Sequence, residues 1–484
     1  MSYKFRPISI YNKKYESRKG ISRKRHPFND KRLYSVFETL SAQMETEQSS
    51  CIQQISTNAA QSASFYRFYG NQKIAIPELI KMNCEINTDL SDTEVLCLGD
   101  STSFNLNKHK GRIKDFKKLG VLQDGKTKGF HAHASLALNA KDGATIGLTD
   151  IIYWHRKGKK YKASQLAKSD KENHKWYMGA SNSKAVLATA KRVSYIFDRE
   201  ADDYTLFKQL QLELQQDFVI RAQHNRQVVF QGKQSTIRDC LANCPVATTY
   251  EKALPVLDHY SWTSGKRIKR AARVAKLELR YVQVKVLAPS KLKSKDSLKL
   301  TAIHVREIGD DLAPEEEPLD WLLWTTHKID SPQDAIKCIR YYLYRWDIEQ
   351  LFRTMKKKGF NQEATELETI DGIVKQTTMT FKASTKIMQL VSARNQEDAP
   401  PTDYVFDREQ QIVLNKVNER LEGKTDKQKN PFPSEQLSWA AWIIARLGGW
   451  KGYQSQRPPG PITMKIGLDK FNSIYEGYLL FDTR

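Results

Sequence analysis

The sequence is short of cysteine and of long apolar runs. Its six cysteines are scattered over 484 residues, too few for a disulfide scaffold. Cys240 and Cys244 form the only close pair, and their spacing is typical of neighbours on a helix rather than of a zinc site. No apolar stretch approaches the roughly 20 residues that span a bilayer, so we expect no membrane-spanning segment.

The sequence also has fewer acidic residues than basic ones. The chain has 78 lysines and arginines against 55 aspartates and glutamates, a formal charge of +23. Such a surplus attracts polyanions, and we expect nucleic acid as the partner. The opening segment MSYKFRPISIYNKKYES has neither an apolar core nor a small-residue cleavage site, so secretion is not expected. The sequence therefore predicts a cytoplasmic protein.

Hydrophobic periodicity and charge divide the chain into three regions. Residues 1–88 combine a basic run with helical patterns, which indicates a small helical module with a positive face. Residues 89–365 begin with three strand patterns and then alternate helices with strands, which predicts a mixed α/β sheet. Within them, a β-rich and very basic stretch at about 226–325 looks inserted. Residues 366–484 carry mostly helical patterns.

Two aspartates follow apolar runs in the second region. Asp100 closes EVLCLGD and Asp198 closes VSYIFD. Because each run is typical of a buried strand, we expect both carboxylates at strand ends, emerging at one edge of the sheet. Either aspartate alone also fits a turn or a helix N-cap.

A third carboxylate lies in a segment that reads as one long helix, from the N-cap Ser331 to a stop at Gly359. At about 100° per residue, one helix face carries Tyr342, Arg345, Glu349, Arg353 and Lys356. The simple interpretation is a solvated face with an ion pair worth roughly 0.2–0.5 kcal/mol. The alternative is that Glu349 joins the two aspartates, because three carboxylates can hold two hard divalent cations for phosphoryl transfer.

The spacing of this set resembles the YREK signature of bacterial insertion-sequence DDE transposases. Tyr342, Arg345, Glu349 and Lys356 match it in full: Tyr, two residues, Arg, three residues, Glu, six residues, Lys. LGDSTSFN resembles the family's first-aspartate segment and FDREADDY its second. FNDKRLYSVFETLSAQM and SFYRFYGN resemble the amino-terminal end-binding domain, and LSWAAWIIARLGGW the carboxy-terminal dimerisation region. The resemblance spans nearly the whole chain.

This resemblance implies a fold and an active site. The fold is α/β, a ribonuclease-H-like mixed sheet with a β-rich insertion, between an N-terminal helical DNA-binding domain and a C-terminal helical domain. The residues carried over as catalytic groups and ligands of two Mg²⁺ or Mn²⁺ ions are Asp100, Asp198 and Glu349. Those carried over as DNA-phosphate contacts are Tyr342, Arg345, Arg353, Lys356, Arg199 and Arg221. Trp321 and Trp346 are the candidates to stack on a base flipped out at the transposon end.

Several of these residues have structural alternatives. Trp321 fits a core strand residue as well as a stacking residue, and Arg199 and Arg221 also fit structural ion pairs. His131 and His133 are two apart in a strand pattern and share one face, which favours a structural or supporting role over metal ligation.

The predicted function is that of a homodimeric bacterial transposase, associated with the nucleoid when bound to DNA. It binds the inverted ends of its element as double-stranded DNA, nicks them to a 3′-OH, forms and resolves a hairpin, and joins the ends to target DNA. One alternative is a ribonuclease-H-like nuclease, which would not need an end-binding module at residues 1–88. The other is a catalytically inactive DNA-binding relative or inhibitor of transposition, against which the intact set of three carboxylates argues.

Overall fold

The structure is a computed structural model that describes residues 28, 30–156, 171–261, 266–309, 318–394, 396–453 and 456–481. The basic leader at residues 1–27 lies outside the described residues. The chain forms two compact units. The first unit consists of Met1–Val193 and Trp346–Arg484, and the second unit of Ser194–Arg345.

Helices and strands alternate along the described chain. The helices are α1 (Lys31–Thr46), α2 (Ala59–Gly70), α3 (Ile76–Asn83), α4 (His174–Val186), α5 (Tyr204–Lys208), α6 (Ile237–Ala242), α7 (Pro332–Leu343), α8 (Trp346–Met355), α9 (Ile370–Ala393), α10 (Arg408–Leu421), α11 (Leu437–Leu447) and α12 (Pro461–Phe481). The strands are β1 (Glu94–Asn105), β2 (Gly120–Val121), β3 (Lys128–Asn139), β4 (Thr145–Trp154), β5 (Arg192–Phe197), β6 (Asp217–Arg221), β7 (Gln227–Phe230), β8 (Lys233–Thr236), β9 (Thr248–Leu254), β10 (Leu257–Ser261), β11 (Lys266–Arg270), β12 (Arg273–Leu287), β13 (Ser297–Glu307) and β14 (Asp320–Thr325).

The first unit is built around an antiparallel sheet and one long buried helix. β3 pairs with β1, β4 and β2. α9 is buried on most of its surface, because it contacts α1, α2, α3, α8, α11, α12 and β4. α8 packs on β1 and β3, while α4 packs on β3 and β4. The helical patterns predicted before residue 88 and after residue 366 are therefore confirmed as helices.

The second unit contains a sheet that is both parallel and antiparallel. Its strand order is β5, β6, β14, β13, β12, β7 and β8, with β9 also paired to β12. β5 and β6 run parallel, whereas β14 pairs antiparallel with both β6 and β13. The predicted mixed α/β fold is confirmed. The β-rich stretch continues this sheet through the long β12 and β13 hairpin.

The segment predicted as one helix from Ser331 to Gly359 is two helices, so that prediction is wrong. Its start is confirmed, because Ser331 forms a capping box and Pro332 occupies the first turn. α7 then ends at Leu343 and α8 begins at Trp346. The Arg345 N–H donates to the Tyr342 carbonyl at 3.1 Å, a three-residue turn that interrupts the four-residue ladder of an α-helix. The single-face argument for the whole set consequently does not hold across this break.

Among the helices within the described ranges, none is long and apolar enough to cross a membrane.

Candidate active site

Asp100 lies within a strand, not at its end. β1 runs on to Asn105, and its ladder with β3 extends from Val95 opposite Asn139 to Asn105 opposite Gly129. The prediction that Asp100 closes the strand is therefore wrong, because the polar residues after it continue the extended pairing. Its carboxylate is half-buried and accepts the Ser101 N–H at 2.7 Å.

One face of β1 carries Asp100, Thr102 and Phe104, since alternate side chains point the same way. The ammonium group of Lys356 lies 4.5 Å from the centre of the Phe104 ring and also donates to the Ser103 carbonyl. Lys356 pairs with Glu363 at 2.9 Å. The lysine at the end of the YREK spacing is thus held on the side of β1 that carries Asp100.

α8 brings Glu349 to the same strand pair. Its buried stripe of Ile348, Leu351, Phe352 and Met355 docks the helix on β1 and β3, and Glu349 remains half-buried. The chain leaves α8 through a tight turn at Gly359, where a Cβ atom would lie 1.6 Å from the Thr354 carbonyl oxygen. A side chain at this position would therefore displace the end of the helix.

The opposite face of the sheet holds a buried histidine pair. Ser101 contacts His133 and Ser103 contacts His131, each through Nδ1 at 3.0 Å. The His131 ring stacks on Trp154, and the His133 ring meets Trp176 of α4 edge-on. Burial lowers the pKa of His131 to about 4 and that of His133 well below its usual range. These histidines are neutral and pack between sheet and helix, on the side away from Asp100.

Asp198 occupies a strand end, as predicted. β5 ends at Phe197, and the Asp198 carboxylate caps the following turn by accepting the Glu200 N–H at 2.8 Å. Arg199, the next residue, is exposed. Because β5 and β6 are parallel, with Phe197 opposite Ile220, Asp198 and Arg221 lie at the same end of the sheet.

An aromatic and cationic cluster surrounds this end of the second unit. The Trp321 ring meets the Tyr342 ring edge-on, with centroids 5.6 Å apart. The Arg221 guanidinium lies 5.9 Å from the Trp321 ring, and that of Arg345 lies 6.0 Å from the Tyr342 ring. Burial raises the pKa of Tyr342, while the charges of Arg345 and Arg221 oppose the shift and that of Asp198 adds to it. Five predicted site residues thus come together here.

Trp321 is not a core residue. It is half-buried at the start of β14, whereas Trp324 in the same strand is fully buried. Arg221 donates a long 3.5 Å hydrogen bond to the Asp320 carbonyl and also interacts with the Tyr342 hydroxyl. The structural alternatives of core packing and of an ion pair are therefore weaker for Trp321 and Arg221 than the sequence suggested.

A basic groove of about 1160 Å³ opens beside α8 in the first unit. Its charged and aromatic lining residues are Trp346, Asp347, Arg353, Lys356, Lys357, Lys358, Arg394, Trp450, Lys451 and Arg457. Trp346 is half exposed, and Arg353 is also exposed. Burial raises the pKa of Asp347, the one acid in this lining, to about 6. A groove with this charge and with an exposed indole at Trp346 suits a nucleic acid backbone.

The carboxylates have the oxygen donors that Mg²⁺ and Mn²⁺ prefer. Asp100 and Glu349 belong to the first unit and Asp198 to the second. In the part of the chain that the structure describes, no three His, Cys, Asp or Glu side chains are grouped as a metal site. The donor chemistry fits such ions, and the assignment of the three ligands stays a prediction.

The sequence comparison agrees with this chemistry. Residues 100–385, more than half of the chain, match the family described as transposase DDE domain. The chain belongs to this transposase family. The match begins at Asp100 and includes Asp198, Glu349 and the YREK residues. Transposases of this family act on DNA and generally use divalent metal ions.

Two supporting contacts of this transposase were not predicted from sequence. Asp202, buried in the DREAD motif, forms a 2.6 Å ion pair with Arg226 and accepts the N–H groups of Gln223 and His224. Glu363 pairs with Lys356 and accepts the Asn105 N–H at 3.0 Å. The repeated acids in DREADDY gave a local signal for Asp202, but nothing near Lys356 in sequence pointed to Glu363.

Proposed function

We propose that this protein cuts the ends of its own mobile element by metal-dependent phosphoryl transfer and joins them to target DNA. The observation that carries the proposal is the cluster at the end of the second unit's sheet, next to Asp198. Asp198, Arg221, Trp321 and Tyr342 are far apart in sequence, yet they come together around the Tyr342 ring, with Arg345 beside it. A carboxylate, two guanidinium groups and a half-buried indole gathered around one tyrosine suit a bent DNA strand at a cleavage position.

The proposed catalytic set is Asp100, Asp198 and Glu349 in a ribonuclease-H-like domain. When bound, two Mg²⁺ or Mn²⁺ ions would supply activation of the attacking oxygen and stabilisation of the leaving one. The strand ladder on Asp100 and the N-cap bond of Asp198 hold these carboxylates in defined orientations. Support for Glu349 comes from the docking of α8 on β1, the strand that carries Asp100.

The proposed DNA contacts fall into two groups. Arg199, Arg221, Tyr342 and Arg345 would hold phosphates around Asp198, where Trp321 would receive a flipped base during hairpin formation. Arg353, Lys356 and Trp346 border the basic groove, which would hold the backbone of the element's end. Stacking of a base on either indole is worth about 1–3 kcal/mol.

The remaining parts of the proposal concern the ends of the chain. We assign recognition of the inverted repeats to residues 1–88, of which α1, α2 and α3 are described as helices. Residues 366–484 would form the homodimer that brings two ends together. Both assignments rest on the sequence resemblance and on the helical structure of these regions.

The test compares wild-type protein with Glu349→Gln on a labelled duplex carrying the element's terminal inverted repeat and Mg²⁺. A denaturing gel resolves nicked and hairpin products. Glu368→Gln is the matched control, because Glu368 is an exposed glutamate on the same unit. We expect nicks and hairpins from wild type and control, and binding without cleavage from Glu349→Gln.

The other outcomes identify the alternatives. Nicking without hairpins or strand transfer would indicate a ribonuclease-H-like nuclease. Binding without cleavage by all three proteins, in Mg²⁺ and in Mn²⁺, would indicate a catalytically inactive DNA-binding relative.

A further inference from the structure

The β12 and β13 hairpin of the second unit ends in a turn that is rich in lysine. Lys291, Lys293 and Lys295 are exposed in the segment between the two strands. At the base of the turn, Lys285 of β12 stands directly opposite Lys299 of β13, and both are exposed. We call these five residues the lysine surface.

The acid within the turn does not pair with the lysine surface. Asp296, the acid within the turn, forms a 2.6 Å ion pair with Lys208 instead. None of the five lysines has an ion-pair partner among the residues that the structure describes. Like charges directly opposite each other on an antiparallel pair destabilise the pair. An anion bound between Lys285 and Lys299 would remove that repulsion.

The backbone conformation at Lys293 also shows that the residue at this position is not the one that would stabilise the turn most. Lys293 has a φ of 49°, in the left-handed region where glycine is the favoured residue. A lysine there places a charged side chain on an exposed turn, although this backbone conformation is strained for a residue other than glycine. Lys293 therefore contributes a positive charge to the turn and does not favour the conformation of the turn.

The lysine surface is distant from the Asp198 cluster within the same unit. Trp321 pairs with Val305 of β13, whereas Lys299 lies six residues earlier in that strand. At about 3.4 Å per residue, the two positions are about 20 Å apart along the strand. A duplex phosphate held at the lysine surface is consequently not one held at the cleavage position.

We propose that the lysine surface binds the backbone of target DNA without regard to sequence. This inference rests on the proposed function, since target DNA is a substrate only of a strand-transfer enzyme. Lysines are flexible point charges that contact phosphates and do not read base edges with fixed geometry. An insertion target needs that kind of contact, whereas recognition of the element's own ends needs base-specific contacts.

The test replaces three charges in the turn with the triple variant K291Q/K293Q/K295Q. Its matched control, K424Q/K427Q/K429Q, removes the same charge from an exposed turn of the first unit. Affinity for a random-sequence duplex is measured at several salt concentrations, beside end cleavage and insertion of pre-cut ends into a plasmid. We expect the turn variant to bind the random duplex about tenfold or more weakly, with the salt slope reduced by about three.

The turn variant should also insert pre-cut ends more slowly while cleaving them at the wild-type rate. A single K293G variant should fold at least as well as wild type and still lose affinity, which separates charge from folding. Unchanged random-duplex affinity, an equal loss in the control triple, or a parallel loss of end cleavage would each overturn the proposal. Failure of the wild type to cut its ends would count against the proposed function, and random-duplex binding would still test the lysine surface.

Discussion

The two faces of the first unit's sheet use the same strands for different purposes. On one face, Asp100 and Phe104 lie on the side of the sheet against which α8 packs, and the Lys356 ammonium group lies near the Phe104 ring. On the other, His131 and His133 are buried under Trp154 and Trp176. The polar run after Asp100 therefore does not form one site. Because side chains alternate along a strand, half of the polar residues lie on the face of the candidate active site and half on the face that packs against α4. Substitutions can therefore test the two faces separately.

The largest effect is expected from Asp100→Asn. The amide keeps the shape of the side chain and an oxygen for the Ser101 N–H, so the melting temperature should stay close to that of wild type. Loss of a catalytic carboxylate should reduce end cleavage by about 10³-fold or more. Rates come from the labelled-duplex assay and stability from thermal unfolding. A cleavage rate within tenfold of wild type would remove Asp100 from the catalytic set.

Substitutions on the buried histidine face should lower the free energy of unfolding rather than the cleavage rate. His133→Ala removes a fully enclosed ring together with its bond to Ser101, so we expect about 2–4 kcal/mol of destabilisation. Urea unfolding measures this loss, and cleavage per folded molecule should be unchanged. Retained stability with lost cleavage would show instead that this face takes part in the chemistry.

A smaller effect is expected at Lys356. Its ion pair with Glu363 is part-exposed, so Lys356→Gln should cost less than about 1 kcal/mol of stability. If its charge binds a phosphate, cleavage should fall about tenfold. Glu363→Gln breaks the same ion pair but keeps the lysine, and it should retain cleavage. Equal losses in both variants would assign the pair a structural role only.

The last effect appears only at acidic pH, as a change in the pH dependence of stability. His131 has a folded-state pKa of about 4 against an ordinary value of 6.5, because burial disfavours the charged ring. The unfolded state therefore binds an additional proton in this interval, and stability is lost as pH falls from 6.5 toward 4.

His131→Asn should remove the contribution of one proton from that slope. Stability of both proteins is measured by urea unfolding across the interval, and the difference between them isolates His131 from the carboxylates that titrate there. Identical slopes would mean that His131 is charged, or solvated, in the folded protein.

Much of the fold followed from local pattern. Apolar runs predicted β1, β3, β4, β5, β6 and β14, and the capping residue Ser331 predicted the start of α7. Two boundaries failed for a shared reason. An aspartate after an apolar run reads as an end, yet β3 continues to pair with β1 beyond Asp100. A continuous helical pattern reads as one helix, yet a three-residue turn at Arg345 divides it.

The sequence by itself determined the transposase family, because residue type and spacing are local properties. Tertiary structure decided which residues become neighbours. It placed Trp321 beside Tyr342 and left Trp324 in the core, although both lie in one strand pattern. It also gave Lys356 its partner Glu363 and left the lysines of the β12 and β13 turn without an ion-pair partner among the described residues. Those outcomes depend on sheet register, helix docking and the path of the chain after α8, which no local sequence pattern contains.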